Sequence, residues 1–191
     1  VSRGLGDVYK RQAKHRVLDI LPGRNQQCLT QYFYSFPKMD RLKVKFFVCD
    51  MWQPYVDMAQ IYFPNAKIII DKYHFIRQVG WAIEAVRKRL QKSMPKKLRK
   101  YFKHSRRLIL TRYHRLSNEK KRECDLMLLY NDDLRKAHYL KEKFYEICQN
   151  PKYSEQRTDF WDWIKEAESS GIPEFEKCAK TYRNWSKYIL N

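Results

Sequence analysis

The sequence predicts a small α/β unit followed by an all-helical unit, with the boundary near residue 93. Two short apolar runs, 44–50 and 66–71, have the composition of strands that are buried on both faces. They flank a segment with helical periodicity, and a strand–helix–strand unit of this length implies a right-handed crossover between parallel strands. Beyond residue 93 the apolar residues recur only at helical spacing. The chain of 191 residues is therefore expected to be helix-dominated, with a small sheet.

The beginning of the chain predicts a leader, a strand and a helix. Residues 1–12 have no apolar periodicity and resemble translated linker sequence, so they are set aside as a non-native leader. Residues 16–24 predict a short strand that is ended by a Pro-Gly pair. Residues 26–36 carry apolar side chains at helical spacing and stop before a proline, which favours a helix.

Two further helices complete the predicted α/β unit, which extends over 13–92. Pro54 suits the first turn of a helix between the two buried strands. A long helix over about 73–92 follows Asp71. The apolar stripe of this long helix is expected to contain Phe75, Val79, Ala82, Ile83, Val86 and Leu90.

The helical unit is expected to extend over 93–191. Pro95 opens its first helix, Ser117 and Asp132 are the expected N-caps of the next two, and Gly171 ends a fourth before Pro173 opens the last. The residues expected to face the core include Leu98, Tyr101, Phe102, Leu108, Ile109, Leu126, Leu129, Leu134, Ala137, Leu140, Phe144, Ile147, Phe160, Trp161, Ile164, Ala167, Phe175, Cys178, Ala179, Tyr182, Trp185 and Ile189.

Positive charge is concentrated in one segment of the chain. The chain has 40 basic and 21 acidic residues, a net charge of +19, yet residues 75–121 alone contain 16 basic and 2 acidic residues. Residues 122–191 are close to neutral, with 12 basic and 13 acidic residues. Because such a block repels itself, it favours a polyanionic partner, most commonly nucleic acid. The alternative interpretation is a solvated face of lysine-rich helices.

Part of this charge is arranged along one predicted helix. Lys96, Lys100, Lys103 and Arg107 lie three or four residues apart, so one continuous helix would place them on a single face. Five more basic residues broaden the expected surface: Arg87, Lys88, Arg99, Arg106 and Arg112. Evenly spaced cations suit a phosphate backbone, and no base-reading motif accompanies them, so we expect binding to DNA without sequence readout.

Several classes of protein are disfavoured by the sequence. There is no apolar run of membrane-spanning length, and no signal peptide is apparent. The five cysteines are an odd number without a CxxC motif, which favours reduced thiols in the cytoplasm over a disulfide framework or a zinc ribbon. Nucleotide-binding glycine loops and a GxSxG nucleophile motif are also missing from the sequence.

Two aspartates directly end the predicted parallel strands. Asp50 and Asp71 would emerge at the carboxyl edge of the sheet, where open α/β folds place their sites. A carboxylate there can bind Mg²⁺, or it can cap the following helix. From its position alone, Asp50 could be either a Mg²⁺ ligand or a helix cap, whereas the position of Asp71 favours a helix cap. His74, three residues after Asp71, is either a proton shuttle or metal-supporting group, or a structural residue.

Four segments together resemble the bacterial insertion-sequence transposases of the ISL3 family. They are RVLDILPGR, VKFFVCDMWQPY, FPNAKIIIDKYHFIRQV and SSGIPEFEKCAKTYRNW, and the likeness extends over 13–191 in order and spacing. The resemblance implies an RNase-H-like core with a helical insertion, and DDE chemistry with three carboxylates and two Mg²⁺ ions. It also implies cleavage of DNA at transposon ends, strand transfer to target DNA, and a homo-oligomer as the working state of the complete enzyme.

The resemblance assigns roles to individual residues. Asp50 matches the second catalytic, metal-binding Asp of the family, and Asp71 with His74 matches a supporting Asp–x–x–His motif. The first Asp and the final Glu of the triad have no counterpart in this sequence, so we expect a transposase fragment, truncated at both ends, that acts on DNA only within a longer chain. The alternative functions are a non-catalytic basic helical module that binds nucleic acid, and a helical interaction domain whose charge serves solubility.

Overall fold

The computed structural model describes the backbone of residues 8–11 and 16–191 and, apart from Lys103, the side chains from residue 19 onward. Helices dominate this part of the chain. The described elements are β1 (Val8–Arg11), β2 (Arg16–Ile20), α1 (Gln26–Tyr34), α2 (Lys38–Leu42), β3 (Phe46–Cys49), α3 (Gln53–Tyr62), β4 (Lys67–Ile70), α4 (Lys72–Lys92), α5 (Lys96–His104), α6 (Arg106–Leu110), α7 (Asn118–Leu129), α8 (Asp132–Ile147), α9 (Tyr153–Glu168) and α10 (Pro173–Ile189). Among the described helices, none is long and apolar enough to cross a membrane.

The first compact unit ends at Ile69 and contains two small sheets. β3 pairs with β4 in parallel, as the strand–helix–strand pattern predicts. β1 pairs with β2 in antiparallel register, so residues 8–11 form a strand although the sequence analysis set 1–12 aside. The rest of that proposed leader, residues 1–7 and 12, lies outside the described residues.

An aromatic cluster forms the core of the first unit. The rings of Phe33 and Phe63 meet edge to face at 5.1 Å, and Phe47 lies 5.4 Å from Phe63. Asn25 begins α1 by accepting a hydrogen bond from the Cys28 backbone N–H at 2.8 Å. These contacts confirm the predicted helix over 26–36, with its end at Tyr34.

The second compact unit, 70–190, is built around the aromatic residues of its helices. Phe144 stacks on Tyr182 with ring centroids 5.0 Å apart, and Trp163 lies 4.8 Å from Phe144. The Trp163 indole N–H donates a hydrogen bond to the Leu140 carbonyl at 2.8 Å. This bond replaces the hydrogen bond to water that the N–H loses when the ring is buried. Gly171, at a φ of +71°, makes the turn between α9 and α10.

The division between the compact units lies before α4, whereas the sequence predicted a boundary near residue 93. The reason is the apolar stripe of α4, which is buried in one cluster with residues of α8 and α10. Residues 70–92 therefore pack with the helices that follow them. The assignment of 13–92 and 93–191 to a catalytic core and an insertion stays a prediction.

The helix predicted to start at Pro95 is divided at Ser105 into α5 and α6. In a continuous helix the Phe102 carbonyl would accept from the backbone N–H four residues later. Here that carbonyl accepts from the guanidinium of Arg87 at 2.5 Å and from the Ser105 hydroxyl at 2.8 Å. Side chains have thus replaced the backbone donor, and the helix ends.

Three smaller expectations in the helical unit are wrong. Tyr101, expected to face the core, is 44% exposed. Leu126 and Leu129 are 66% and 71% exposed, and the buried face of α7 contains Cys124 and Met127. The cap of α8 is Asn131, whose side chain accepts from the Leu134 N–H at 3.0 Å, while Asp132 lies in the first turn. The expected N-cap Ser117 is confirmed by its hydrogen bond from the Lys120 N–H.

A buried carboxylate connects α4 to α6. Glu84 is 8% exposed and forms two hydrogen bonds of 3.0 Å with Arg87, which is 4% exposed. Arg106 approaches the same carboxylate at 3.2 Å and Lys88 at 3.8 Å. Burial by itself would raise the pKa of Glu84, but the hydrogen bond and charge of Arg87, with the other two cations, lower it below its ordinary value.

Replacing Glu84 with Gln is expected to lower the free energy of unfolding by about 3 kcal/mol, because Arg87 would keep a buried charge without a counter-charge. Chemical denaturation at neutral pH measures this loss. Since the folded-state pKa is depressed, the contribution of Glu84 is present above the unfolded-state pKa of about 4.3 and is lost as pH falls through the folded pKa.

The matched control is Glu119→Gln, which makes the same charge change at an exposed residue in the first turn of α7. It is expected to cost less than about 1 kcal/mol. Equal losses for both variants would contradict the structural role of Glu84.

Candidate nucleic-acid interface and carboxylate site

Asp50 directly follows β3, and one of its carboxylate oxygens is unpartnered. Atom Oδ1 is buried and forms no hydrogen bond. Burial and the charge of Asp50 raise the pKa of the neighbouring Cys49 thiol to about 12. The hydroxyl of Tyr55, in the first turn of α3, is likewise buried without a partner.

An unpartnered buried oxygen costs about 1–3 kcal/mol, so the Asp50 position favours an incoming donor or cation. A hard divalent ion such as Mg²⁺ takes oxygen ligands of this kind. The described part of the chain, however, contains no group of three or more His, Cys, Asp or Glu side chains that could hold a metal ion. Asp50 therefore fits as one ligand, and the described residues do not form a complete metal site.

Asp71 acts as a helix cap in this structure. Its carboxylate accepts a hydrogen bond from the Tyr73 backbone N–H at 2.9 Å, at the start of α4. His74 donates its backbone N–H to the Asp71 carbonyl at 3.1 Å, and its ring lies edge to face with Tyr73 at 5.5 Å. These contacts account for Asp71 as a cap, and a supporting role for Asp71 and His74 stays a prediction.

An exposed basic surface extends from α5 to the turn after α6. Lys96, Arg99 and Lys100 are exposed along α5, and with His104 they line a shallow depression. His104 also lines the adjoining depression, together with Arg107 and Arg115. We call these six residues the α5 basic surface.

Because of the break at Ser105, the α5 basic surface is formed by two helices instead of one, but it is not divided. Arg107 lies on α6 rather than on one continuous helix with Lys96 and Lys100. It still shares a depression with His104, so its charge adjoins those of α5. Lys103 belongs to the α5 backbone, and its side chain lies outside the described residues.

Three residues predicted for this surface are engaged by Glu84 instead. Arg87 is buried, and its guanidinium is bound by Glu84 and the Phe102 carbonyl, so it does not face solvent. The Lys88 and Arg106 side chains are 64% and 63% exposed but pair with the same carboxylate. Burial thus separates Arg87 alone from the exposed cations, and sequence spacing carries no signal for it; DNA binding by Lys88 and Arg106 stays a prediction.

Arg115 and His104 belong to the surface but were not predicted as binding residues. Arg115 lies outside the regular spacing of the predicted stripe, in the short 3₁₀ turn Tyr113–Arg115. The only sequence signal for it is the high density of basic residues between 96 and 115. Both side chains line the same depression as Arg107.

Comparison with known proteins gives one family and one curated relative. The sequence profile of the DDE transposases of the ISL3 family, described as "Transposase", matches residues 3–191. The transposase for insertion sequence element IS1001 of Bordetella parapertussis is 27% identical over 183 residues, covering 92% of this chain and 44% of the relative. This chain thus spans less than half the length of that relative.

No solved structure gives a significant match to this chain. The profile match covers nearly all of its residues, including the strand–helix–strand segment with Asp50 and the basic helices. The resemblance drawn from the four sequence segments is therefore confirmed, and the chain belongs to the ISL3 family of DDE transposases.

Proposed function

We propose that this chain contributes to DNA transposition by a DDE mechanism, supplying one metal-binding carboxylate and a surface for the DNA backbone. The observation that carries the proposal is the unpartnered, buried oxygen of Asp50 at the end of β3, in a member of a transposase family. The parallel β3–α3–β4 unit supports an RNase-H-like core, and α5 to α10 correspond to the helical insertion.

The α5 basic surface would position DNA through its phosphates. Arg99 and Lys100 lie one turn after Lys96 on α5, a spacing that suits phosphates along one strand. The surface offers cations without a base-reading element, so its affinity for DNA would depend on salt and little on sequence. The proposed DNA partners are transposon ends and target DNA, and the proposed location is the bacterial cytoplasm, in association with the nucleoid.

Two Mg²⁺ ions complete the proposed mechanism. Such ions stabilise the charge on the attacking and leaving oxygens during phosphoryl transfer. Asp50 would hold one of them through the oxygen that has no partner within the chain. Asp71 and His74 would have a supporting role, Asp71 by capping the start of α4. A homo-oligomer is the proposed working state.

The second candidate function is a non-catalytic module that binds nucleic acid. It is favoured by the lack of a three-residue metal-binding group among the described residues. This function requires the α5 basic surface and nothing from Asp50. The two following predictions therefore distinguish it from the transposase proposal.

Replacing both Lys96 and Lys100 with Ala is expected to weaken binding of a 20-base-pair duplex about tenfold near 0.1 M salt, and equally for unrelated sequences. The slope of log affinity against log salt should become shallower by about 2, because two phosphate contacts are lost. Fluorescence anisotropy over a salt series measures both quantities. The control Lys177→Ala with Lys180→Ala removes the same charge from exposed residues of α10, and an equal loss there would show that net charge alone causes binding.

Replacing Asp50 with Asn is expected to abolish divalent-ion binding at the end of β3. Titration with MnCl₂ should broaden the backbone amide NMR signals of residues 49–52 in the unsubstituted chain and leave them sharp in the variant. Within a longer transposase that contains this segment, the same substitution is expected to abolish Mg²⁺-dependent nicking of DNA.

The control for the metal test is Asp57→Asn, which changes an exposed carboxylate of α3. It should leave the Mn²⁺ effect on residues 49–52 intact. Identical broadening in the Asp50 variant would contradict the metal-ligand role and favour the non-catalytic module.

A further inference from the structure

A separate pocket of about 450 Å³ lies in the helical unit beside α4, α8 and the end of α6. We call it the Arg112 pocket. Its lining residues are Lys72, Ile76, Leu110, Thr111, Arg112, Arg115, Tyr145, Cys148 and Gln149. Three of them are cations, and none of them is a carboxylate.

Arg112 is positioned without a counter-charge. It forms no salt bridge within the described part of the chain, and its Nε atom is buried without a hydrogen-bond partner. Its guanidinium lies over the Tyr145 ring, 5.5 Å from the centroid, a contact that orients the group and leaves its N–H donors free. An unpartnered buried donor of a charged group is costly, so the position favours an anion.

The other two cations of the pocket, Lys72 and Arg115, also favour an anion. The Lys72 ammonium donates to the Cys148 carbonyl at 2.7 Å, which fixes it at the pocket and leaves two N–H donors unused. Arg115 is exposed at the rim, where it also belongs to the α5 basic surface.

The pocket contains no internal anion. Burial raises the pKa of the Cys148 thiol to about 12, despite the opposing charges of Lys72 and Arg112, so this thiol is neutral at neutral pH. On α8, the carboxylate of Glu142 is bound by Lys141 at 2.6 Å and accepts from the Tyr113 backbone N–H at 3.0 Å. The lining of the pocket therefore contains three cations and no carboxylate to compensate them.

We propose that the Arg112 pocket binds a phosphate group. A guanidinium forms paired hydrogen bonds with phosphate oxygens, and an ammonium adds a point charge, which matches the lining of this pocket. The phosphate is either a phosphodiester of the DNA backbone or a free polyphosphate. Binding of a DNA phosphodiester rests on the proposed function, because Arg115 belongs both to this pocket and to the α5 basic surface. Binding of a free polyphosphate does not.

The test compares pyrophosphate and DNA binding by the whole chain and by three variants. Isothermal titration with pyrophosphate at 0.15 M salt is expected to show about tenfold weaker binding for Arg112→Gln and Arg115→Gln, because each loses charge-assisted hydrogen bonds. Arg157→Gln makes the same charge change at an exposed residue of α9 and should bind as the unsubstituted chain does. Thermal unfolding of each variant checks the fold, and the exposed Arg115 keeps the test informative if Arg112→Gln is unstable.

A parallel anisotropy series with a 20-base-pair duplex identifies the source of the phosphate. Weaker duplex binding by the two pocket variants, with a salt slope shallower by about 1, assigns the pocket to the DNA backbone. A loss confined to pyrophosphate assigns it to a free polyphosphate. If neither variant differs from Arg157→Gln in either series, the proposal is overturned. A null result for the Lys96 and Lys100 variant alone would contradict the DNA-binding function and leave this pocket unaffected.

Discussion

The arrangement of the helical unit depends on the buried carboxylate of Glu84. Residues 75–121 contain sixteen basic residues and two acidic ones, and the other acidic residue, Glu119, is exposed. Coulomb attraction is stronger away from water, so a buried carboxylate can bind several cations at once. Glu84 does so with Arg87, Lys88 and Arg106. Arg87 in turn binds the Phe102 carbonyl, and one cluster thereby ends α5 and attaches α4 to the next two helices.

This cluster separates structural cations from those available to a partner. Arg87, Lys88 and Arg106 share the single negative charge of Glu84, and Arg89 on the same helix pairs with Asp133 and Glu174. Within the described residues, the exposed cations of α5 and of the following turn form no ion pair, and Glu123, which lines the same depression, pairs with Lys120. The ion pairs that stabilise the helices thus leave this surface with excess positive charge, and an arriving polyanion would relieve its self-repulsion.

Periodicity in the sequence predicted the helices whose apolar residues are consistently buried on one face, such as α4 and α8. The expectation that β3 is buried on both faces is wrong, because Phe46 and Val48 are 60% and 52% exposed. Periodicity failed where a single polar contact decides where a helix begins or ends. The Phe102 carbonyl accepts from two side chains and divides a helix, and Asn131 caps α8 in place of its acidic neighbour. The Asp50 position was foreseeable because a strand end is visible in sequence. The Arg112 pocket could not be foreseen from the sequence, because its lining residues lie up to 77 positions apart.

Asp50 and Arg112 present the same physical problem with opposite charge. Each has a buried polar atom without a hydrogen-bond partner. In Asp50 it is a carboxylate oxygen, which accepts hydrogen bonds, and in Arg112 it is the guanidinium Nε, which donates them. Such atoms lower stability by about 1–3 kcal/mol each, so a fold retains them readily where an outside group completes the contact. Under the two proposals, a cation would complete the contacts of Asp50 and an anion those of Arg112. Both kinds of partner belong to the chemistry of nucleic acids, whose phosphates carry metal ions with them.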